Sequence, residues 1–153
     1  MMEMHMGEDS GQTARDNERA PPVAGGRASS IQSYRDLHAW QESRALVQMV
    51  YWLTKSFPDQ ERFGLTQQLR RSAVSVPSNI AEGYGRGSRR DYVRFLNTAR
   101  GSLFEAETQL ILSLDLGFAS QDSLTPILDH CQRVSRILQG PITAIIRSGA
   151  EDV

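Results

Sequence analysis

The chain has 153 residues, a length typical of one compact domain and too short for two ordinary ones. Its 17 basic and 18 acidic residues give a net charge of −1, so the composition as a whole carries no signature of nucleic-acid binding. One cysteine, Cys131, excludes an intrachain disulfide framework, and none of the three histidines has a zinc-ligand spacing. No apolar run reaches the roughly 20 residues that span a bilayer, and the acidic N-terminus does not resemble a signal peptide. We therefore predict a soluble cytoplasmic protein with no metal or other cofactor.

The N-terminal segment differs in composition from the rest of the chain. Residues 1–30 contain no Leu, Ile, Phe, Tyr or Trp, and six of them are Gly or Pro. Such a segment cannot bury enough apolar surface to offset the entropy that it would lose on ordering. From Ile31 onward apolar residues recur with helical spacing, and no strand-like alternation persists. We predict a disordered tail at 1–30, an all-α domain at 31–149 and a disordered C-terminus at 150–153.

The first predicted helix covers residues 34–56 and is more apolar than one buried stripe requires. Its stripe consists of Leu46, Val50, Leu53 and Phe57. Eight of the nine residues from 45 to 53 are apolar, so two faces of this helix need cover. One interpretation is a central helix that its own subunit wraps completely. The other is a subunit interface that includes Met49 and Trp52.

The second predicted helix starts after Asp59 and contains a proline. Its apolar stripe keeps one phase throughout, at Leu65, Leu69, Ala73, Val76, Ile80 and Tyr84. Pro77 removes one backbone donor and clashes with the preceding turn, so we predict a kink at Pro77 without a full stop. The helix should end in the glycines Gly83, Gly85 and Gly87.

Capping residues mark the third and fourth predicted helices. Ser88 and Asp91 form a capping box ahead of an apolar stripe that runs to Leu114, with Gly117 as terminator. The stripe members are Tyr92, Leu96, Ala99, Leu103, Ala106, Leu110 and Leu114. Thr125 as N-cap and Pro126 at the first helical position indicate the fourth helix. We expect a bend or break at Gly140-Pro141, followed by a last helical segment that ends near residue 149.

Charge is distributed unevenly along the chain. Residues 62–100 hold eight arginines against two acidic residues, a net +6, whereas residues 101–129 hold five acidic residues and no Lys or Arg. Arg matches phosphate oxygens in a bidentate fork, which favours contact with nucleic acid. A solvated face and intersubunit ion pairs with the acidic stretch are the alternatives. The candidate nucleic-acid-binding residues are Arg70, Arg71, Arg86, Arg89, Arg90 and Arg94.

No catalytic or metal site is evident in the sequence. The glycine-rich segment 83–87 precedes a helix N-terminus and suits a phosphate, but it lacks the spacing and the preceding strand of a nucleotide-binding P-loop. Neither His38 nor His130 has the Glu three residues earlier that a di-iron bundle needs. Cys131 lies on an apolar face with no activating neighbour, which favours a buried structural thiol. We therefore predict that the protein is not an enzyme.

The middle of the chain carries a series of short motifs at close spacing. The most specific block is Ser75-Val76-Pro77-Ser78-Asn79-Ile80-Ala81-Glu82-Gly83. Further motifs are Leu37 with Trp40-Gln41, Phe57-Pro58, Glu61-Arg62-Phe63-Gly64-Leu65, Gln68-Leu69-Arg70-Arg71, Gly85-Arg86, Phe95-Leu96, Ala99-Arg100-Gly101-Ser102, Glu105 and Glu107. In these motifs the chain resembles the bacterial four-helix-bundle family encoded by intervening sequences in 23S rRNA genes. The resemblance implies an antiparallel up-and-down four-helix bundle that assembles as a homopentamer, which would cover the second face of the first helix.

The same resemblance suggests partners and structural roles. Similar proteins include the accessory variability proteins of diversity-generating retroelements, which associate with a reverse transcriptase and RNA. Pro77, Asn79, Glu82 and Gly83 form the family motif, and we expect Asn79 and Glu82 to bond a neighbouring helix or a backbone group freed by Pro77. Gly101 and Ser102 would permit a close approach between helices.

Our leading hypothesis is a non-enzymatic, pentameric accessory protein that binds RNA or DNA. The alternatives are a protein-interaction module without nucleic-acid binding, and an enzyme whose site forms only between subunits. A gene position inside an rRNA gene, or beside a reverse transcriptase, would distinguish the two branches of the family.

Overall fold

The computed structural model describes residues 30–150, and all regular structure in that range is helical. The elements are a 3-10 turn at Tyr34–Asp36, α1 at His38–Thr54, a 3-10 turn at Asp59–Glu61, α2 at Leu65–Gly85, α3 at Arg89–Asp115 and α4 at Gln121–Ala150. The predicted disordered segments 1–30 and 150–153 lie outside the described residues, except for Ser30 and for Ala150, which is the last residue of α4.

The four helices form an antiparallel up-and-down bundle. Each helix packs against its neighbour in the chain, most extensively α2 against α3, and α4 closes the bundle against α1. Within residues 30–150 the backbones of the diagonal pairs, α1 with α3 and α2 with α4, stay more than 8 Å apart between Cα atoms. Short connections between successive helices make neighbours antiparallel. The predicted all-α four-helix bundle is therefore confirmed.

The core is built from the apolar stripes that the helical spacing predicts. The largest fully buried side chains are Leu46, Val50, Leu69, Val76, Ile80, Leu96, Leu103, Leu110, Leu124, Cys131, Val134 and Leu138. Tyr84 is the exception, because it lies in the last turn of α2 at the end of the bundle and stays 36% exposed. The prediction that Tyr84 belongs to the buried stripe of α2 is therefore wrong.

A separate 3-10 turn precedes α1, so the helix begins later in the chain than predicted. The Asp36 carboxylate accepts the backbone N–H of Ser33 at 2.9 Å, and the Ser33 hydroxyl accepts the N–H of Arg35 at 3.3 Å. This capping box closes one 3-10 turn, after which Leu37 is extended, with ψ of 122°. The first α-helix therefore begins at His38 and not near Tyr34.

The start of α4 also differs from the prediction. The helix begins at Gln121, where the Ser120 hydroxyl accepts the N–H of Ser123 at 3.2 Å. Thr125 is inside the helix and donates its hydroxyl to the Gln121 carbonyl at 2.9 Å, so its assignment as N-cap is wrong. Pro126 accordingly lies beyond the first turn.

Internal prolines do not interrupt α2 or α4. The second helix continues through Pro77 to Gly85, as the unbroken apolar stripe predicts. The fourth helix continues through Gly140-Pro141 to Ala150, and the buried Ile142 keeps its apolar face in phase there. No break occurs at Gly140-Pro141, and the kink at Pro77 and the bend at Gly140-Pro141 stay predictions.

Candidate nucleic-acid interface

The structure divides the six candidate arginines into two groups. Arg70 and Arg71 lie in the first half of α2, whereas the other four surround the connection between α2 and α3. Fifteen residues separate Arg71 from Arg86, which is about 22 Å at the helical rise of 1.5 Å per residue. We call Arg86, Arg89, Arg90 and Arg94 the junction group.

The connection that carries the junction group is a tight turn. Gly87 has φ of +75°, a backbone conformation that favours glycine, and it directly precedes the α3 cap. The Ser88 hydroxyl accepts the N–H of Asp91 at 3.1 Å and caps α3, as predicted. Arg89 and Arg90 therefore occupy the first turn of α3, where unsatisfied N–H groups and the helix dipole favour an anion.

Two members of the junction group are held against one aromatic ring. The guanidinium carbons of Arg86 and Arg94 lie 5.1 Å and 4.9 Å from the centroid of Phe95. Arg86 also pairs with Glu82, and Arg94 pairs with Asp91 at 3.3 Å. These contacts fix the two arginines and partly neutralise them.

The other two members have no such partners. Arg89 and Arg90 are exposed, and neither forms an ion pair with any residue in the described range. Within the junction group they are therefore the side chains whose guanidinium groups are available to an outside anion.

Gly83 of the family motif allows α2 and α3 to approach beneath the junction group. A Cβ at this buried position would lie 2.7 Å from the Phe95 Cβ and 3.2 Å from a ring carbon of Tyr92. Burial is the main cause that raises the pKa of Tyr92, with neighbouring Tyr84 adding to it. The small residue thus lets two aromatic side chains of α3 pack directly on the α2 backbone.

The polar residues of the motif act differently from our expectation. The Asn79 amide donates to the Ser75 carbonyl at 2.8 Å and to the Ser75 hydroxyl at 2.9 Å, both in its own helix. Ser75 in turn bonds Ser102 of α3 at 2.9 Å, so Asn79 reaches the neighbouring helix only through Ser75. Glu82 is exposed and pairs with Arg86. Neither side chain bonds the Ala73 carbonyl, the acceptor that loses its donor at Pro77.

The helix approach that we expected at Gly101 does not occur. Ser102 lies buried between α2 and α3, as predicted, but Gly101 is exposed, and a Cβ there would meet no atom within 4 Å.

Arg70 and Arg71 belong to a second basic surface, which we call the basic groove. It is a depression of about 570 Å³ between α1 and α2, and no acidic residue lines it. The side chains that define it here are Tyr51, Arg62, Phe63, Arg70, Arg71 and Val74. Tyr51, Phe63 and Val74 are 42%, 78% and 40% exposed, so the groove is apolar as well as basic.

Arg70 is the most constrained residue of the basic groove. Its Nε donates to the Thr54 hydroxyl at 2.9 Å, and its guanidinium carbon lies 4.5 Å from the centroid of Tyr51. Arg62 lies over Phe63 at 5.4 Å. None of the groove arginines forms an ion pair with a residue of the described range.

Our predicted interface residues lie on the opposite side of α1. Met49 and Trp52 line a groove of about 490 Å³ between α1 and α4, together with Pro126 and Ile127. Trp52 is 66% exposed, in accord with the apolar excess that α1 shows in the sequence. The subunit interface at Met49 and Trp52 stays a prediction.

A further apolar surface, which the sequence analysis missed, lies on the solvent side of α3. Phe104, Ile111 and Leu112 are 45%, 45% and 43% exposed, and the exposed acidic residues Glu105 and Asp115 lie among them. We call these five residues the α3 outer face. The sequence does contain a signal for this surface. Phe104, Ile111 and Leu112 recur at helical spacing outside the buried stripe of α3, which is complete without them.

Potential metal ligands and the one thiol are located among the described residues. No group of three or more His, Cys, Asp or Glu side chains within residues 30–150 is placed to hold a metal ion. Cys131 is buried, as predicted, and burial raises the pKa of its thiol to about 12. None of the helices between residues 30 and 150 combines the length and the apolar character needed to cross a bilayer.

The fold and the two basic surfaces define an up-and-down four-helix-bundle protein with arginines at one end and along one side. The family model of the 23S rRNA-intervening sequence protein matches residues 35–140, and the chain belongs to that family. This confirms the family resemblance found in the sequence.

One solved structure supports the same fold. It is the crystal structure of a protein of unknown function from the S23 ribosomal protein family of Bacteroides thetaiotaomicron VPI-5482. The match has a TM-score of 0.62 at 24% sequence identity and covers 68% of this chain and 97% of that chain. No curated protein matches this chain.

Proposed function

We propose that this protein is a non-enzymatic, oligomeric accessory protein that binds the phosphate backbone of RNA or DNA through the junction group. The observation that carries the proposal is the position of Arg89 and Arg90, which are exposed and unpaired within residues 30–150 at the N-terminus of α3. Arginines that lack an acidic partner and project beside a helix N-terminus suit phosphate oxygens.

Repetition of the junction group would supply the affinity that one copy lacks. The four arginines and their two acidic partners, Glu82 and Asp91, give a local charge of only +2 per subunit. Such a charge supports weak, salt-sensitive binding, because each phosphate contact adds only one counterion-release contribution. A homopentamer, the assembly implied by the resemblance to accessory variability proteins, would present five copies to one nucleic acid and raise avidity.

The same resemblance extends the proposal to a partner. We propose a reverse transcriptase as the protein that this accessory subunit accompanies on RNA. The observation that favours a second candidate function, a protein-interaction module without nucleic-acid binding, is the exposed apolar surface of the basic groove and the α3 outer face.

The decisive experiment measures binding of duplex DNA, duplex RNA and single-stranded RNA between about 50 and 300 mM salt. The double variant Arg89→Ala/Arg90→Ala should weaken binding similarly for all sequences. It should also flatten the plot of log affinity against log salt by about 1.8 per engaged subunit, at about 0.9 per lost contact on duplex. The matched control is Arg133→Ala/Arg136→Ala, which removes the same charge from an exposed part of α4.

Two results would contradict the proposal. Wild-type protein that binds no nucleic acid at about 50 mM salt would exclude the function and favour the protein-interaction module. An equal loss in the control variant would show that overall charge, and not the junction group, determines the affinity.

A further inference from the structure

Two surfaces of the described chain are both apolar and charged, and their charges are opposite. The basic groove has three arginines and no acidic lining residue. The α3 outer face has Glu105 and Asp115, while the Arg100 guanidinium carbon lies 5.4 Å from the centroid of Phe104, which leaves the face net acidic. Each surface exposes three large apolar side chains to water, which soluble monomers rarely do in one patch.

Arg70 is prepared for an anionic partner. Its Nε bond to Thr54 and its stacking on Tyr51 fix the guanidinium plane, while its two terminal nitrogens bond no other described residue. A guanidinium held in this way loses little conformational entropy when it binds a carboxylate in a bidentate fork. The groove thus offers a fixed cationic site beside exposed apolar side chains.

The apolar part of the groove favours a protein over a phosphate backbone. Val74 provides no aromatic face for a base, and an arginine already lies over each of the two groove rings, Arg70 over Tyr51 and Arg62 over Phe63. The α3 outer face of another copy supplies both missing components, apolar side chains for Phe63 and Val74 and carboxylates for the arginines. The same contact covers the α3 outer face, where Arg100 lies over Phe104 but Ile111 and Leu112 stay exposed.

We propose that the basic groove of one copy receives the α3 outer face of a second copy. This inference rests on the proposed assembly and specifies which surfaces meet in it. Because the two surfaces are different, the contact is head-to-tail and leaves an unused groove on one copy and an unused outer face on the other. The groove arginines, Arg62, Arg70 and Arg71, then contact the second copy, and only the junction group binds phosphate.

Two blocking variants test the contact. Phe63→Glu introduces a charge into the groove, and Leu112→Glu does the same on the α3 outer face, at positions that are 78% and 43% exposed and so outside the core. Each variant alone should be monomeric by light scattering coupled to size exclusion. An equimolar mixture should form a 1:1 dimer of twice the monomer mass, since one intact groove and one intact outer face remain. Ile146→Glu, at an exposed apolar position on α4, is the matched control and should keep the wild-type mass.

The other outcomes overturn the inference in distinguishable ways. A monomeric wild type would remove the proposed assembly and this contact with it. An oligomer that survives Phe63→Glu but dissociates with Trp52→Glu would place the contact at the Met49 and Trp52 groove. Two monomeric variants that do not combine would exclude a head-to-tail contact. Unchanged mass with lost nucleic-acid binding in Phe63→Glu would make the groove a nucleic-acid site.

Discussion

Substitution of Gly83 tests how closely α2 and α3 approach beneath the junction group. In Gly83→Ala the new Cβ would lie 2.7 Å from the Cβ of Phe95. The Phe95 Cβ is fixed to the α3 backbone, so no side-chain rotation relieves the clash. Carbon atoms in contact lie about 3.5–4.0 Å apart, so the helices must separate locally by roughly 1 Å.

The expected loss of stability follows from two opposing contributions. Overpacking of this kind costs about 1–3 kcal/mol, whereas Ala in place of Gly in a helix contributes about 0.8–1 kcal/mol in the opposite direction. We therefore expect Gly83→Ala to lower the free energy of unfolding by about 1 kcal/mol. Gly101→Ala is the control, because its Cβ meets no atom within 4 Å and only the helix-propensity gain applies.

Urea unfolding followed by circular dichroism measures both variants. The difference between the two free energies of unfolding should be about 1–3 kcal/mol, because the propensity contributions cancel and the packing cost remains. In thermal melts each kcal/mol corresponds to a shift of about 3–6 °C for a domain of this size. Equal stability of the two variants would refute the close approach at Gly83.

Two further predictions concern the interior of the bundle. The Ser72 hydroxyl donates to the buried Gln109 side-chain oxygen at 2.6 Å. Ser72→Ala should therefore lower the free energy of unfolding in urea by about 1–3 kcal/mol, whereas the exposed control Ser78→Ala should be near neutral. Equal losses in the two variants would contradict a special role of the buried bond. Because burial raises the pKa of Cys131 to about 12, its thiol stays neutral in the fold but ionises near about 8.5 when unfolded. The neutral thiol of Cys131 contributes its full stability below the pKa of the unfolded state, and this contribution is lost as the pH rises toward the folded pKa of about 12. The free energy of unfolding of the wild type should therefore decline more steeply than that of Cys131→Ala between about pH 8 and 11. Parallel pH profiles for the two proteins would count against burial of the thiol.

Helical periodicity predicts most of this fold because it reports directly on burial. The stripes of α1 and α3 place the core residues correctly, since an apolar side chain every three or four residues must face one side of a helix. The helix starts are less well determined. Ser120 and Thr125 are both good capping residues, and only the burial of Leu124 against the bundle shows that α4 begins at the earlier one.

The candidate site could be predicted only as a set of residue types. Sequence shows that arginines cluster in the middle of the chain, but not that about 22 Å along α2 separate Arg86 from Arg71. The stacking of Arg86 and Arg94 on Phe95 depends on the α2–α3 hairpin, which brings residues from two helices to one ring. Helical spacing places Phe104, Ile111 and Leu112 on one face of α3, but only the packing of the described helices shows that this face stays exposed.

The topology of the bundle separates charges that cancel in the composition. An up-and-down arrangement puts the α2–α3 connection, with the junction group, at one end of the bundle. The α1–α2 and α3–α4 connections lie at the other end, where Asp59, Glu61, Asp115 and Asp122 outnumber Lys55 and Arg62. The net charge of −1 therefore conceals a subunit with one arginine-rich end and one acidic end.

This polarity connects the two proposals. In a closed head-to-tail ring the subunits are related by rotation about one axis, so equivalent residues lie in one plane perpendicular to it. The junction groups of all subunits would then form a single basic ring, at a level where one nucleic acid reaches several of them. Assembly through the basic groove would thus turn a local charge that is weak in one subunit into a multivalent phosphate-binding surface. Because the groove arginines would be engaged between subunits, the exposed guanidinium groups of Arg89 and Arg90 would largely determine how that surface responds to salt.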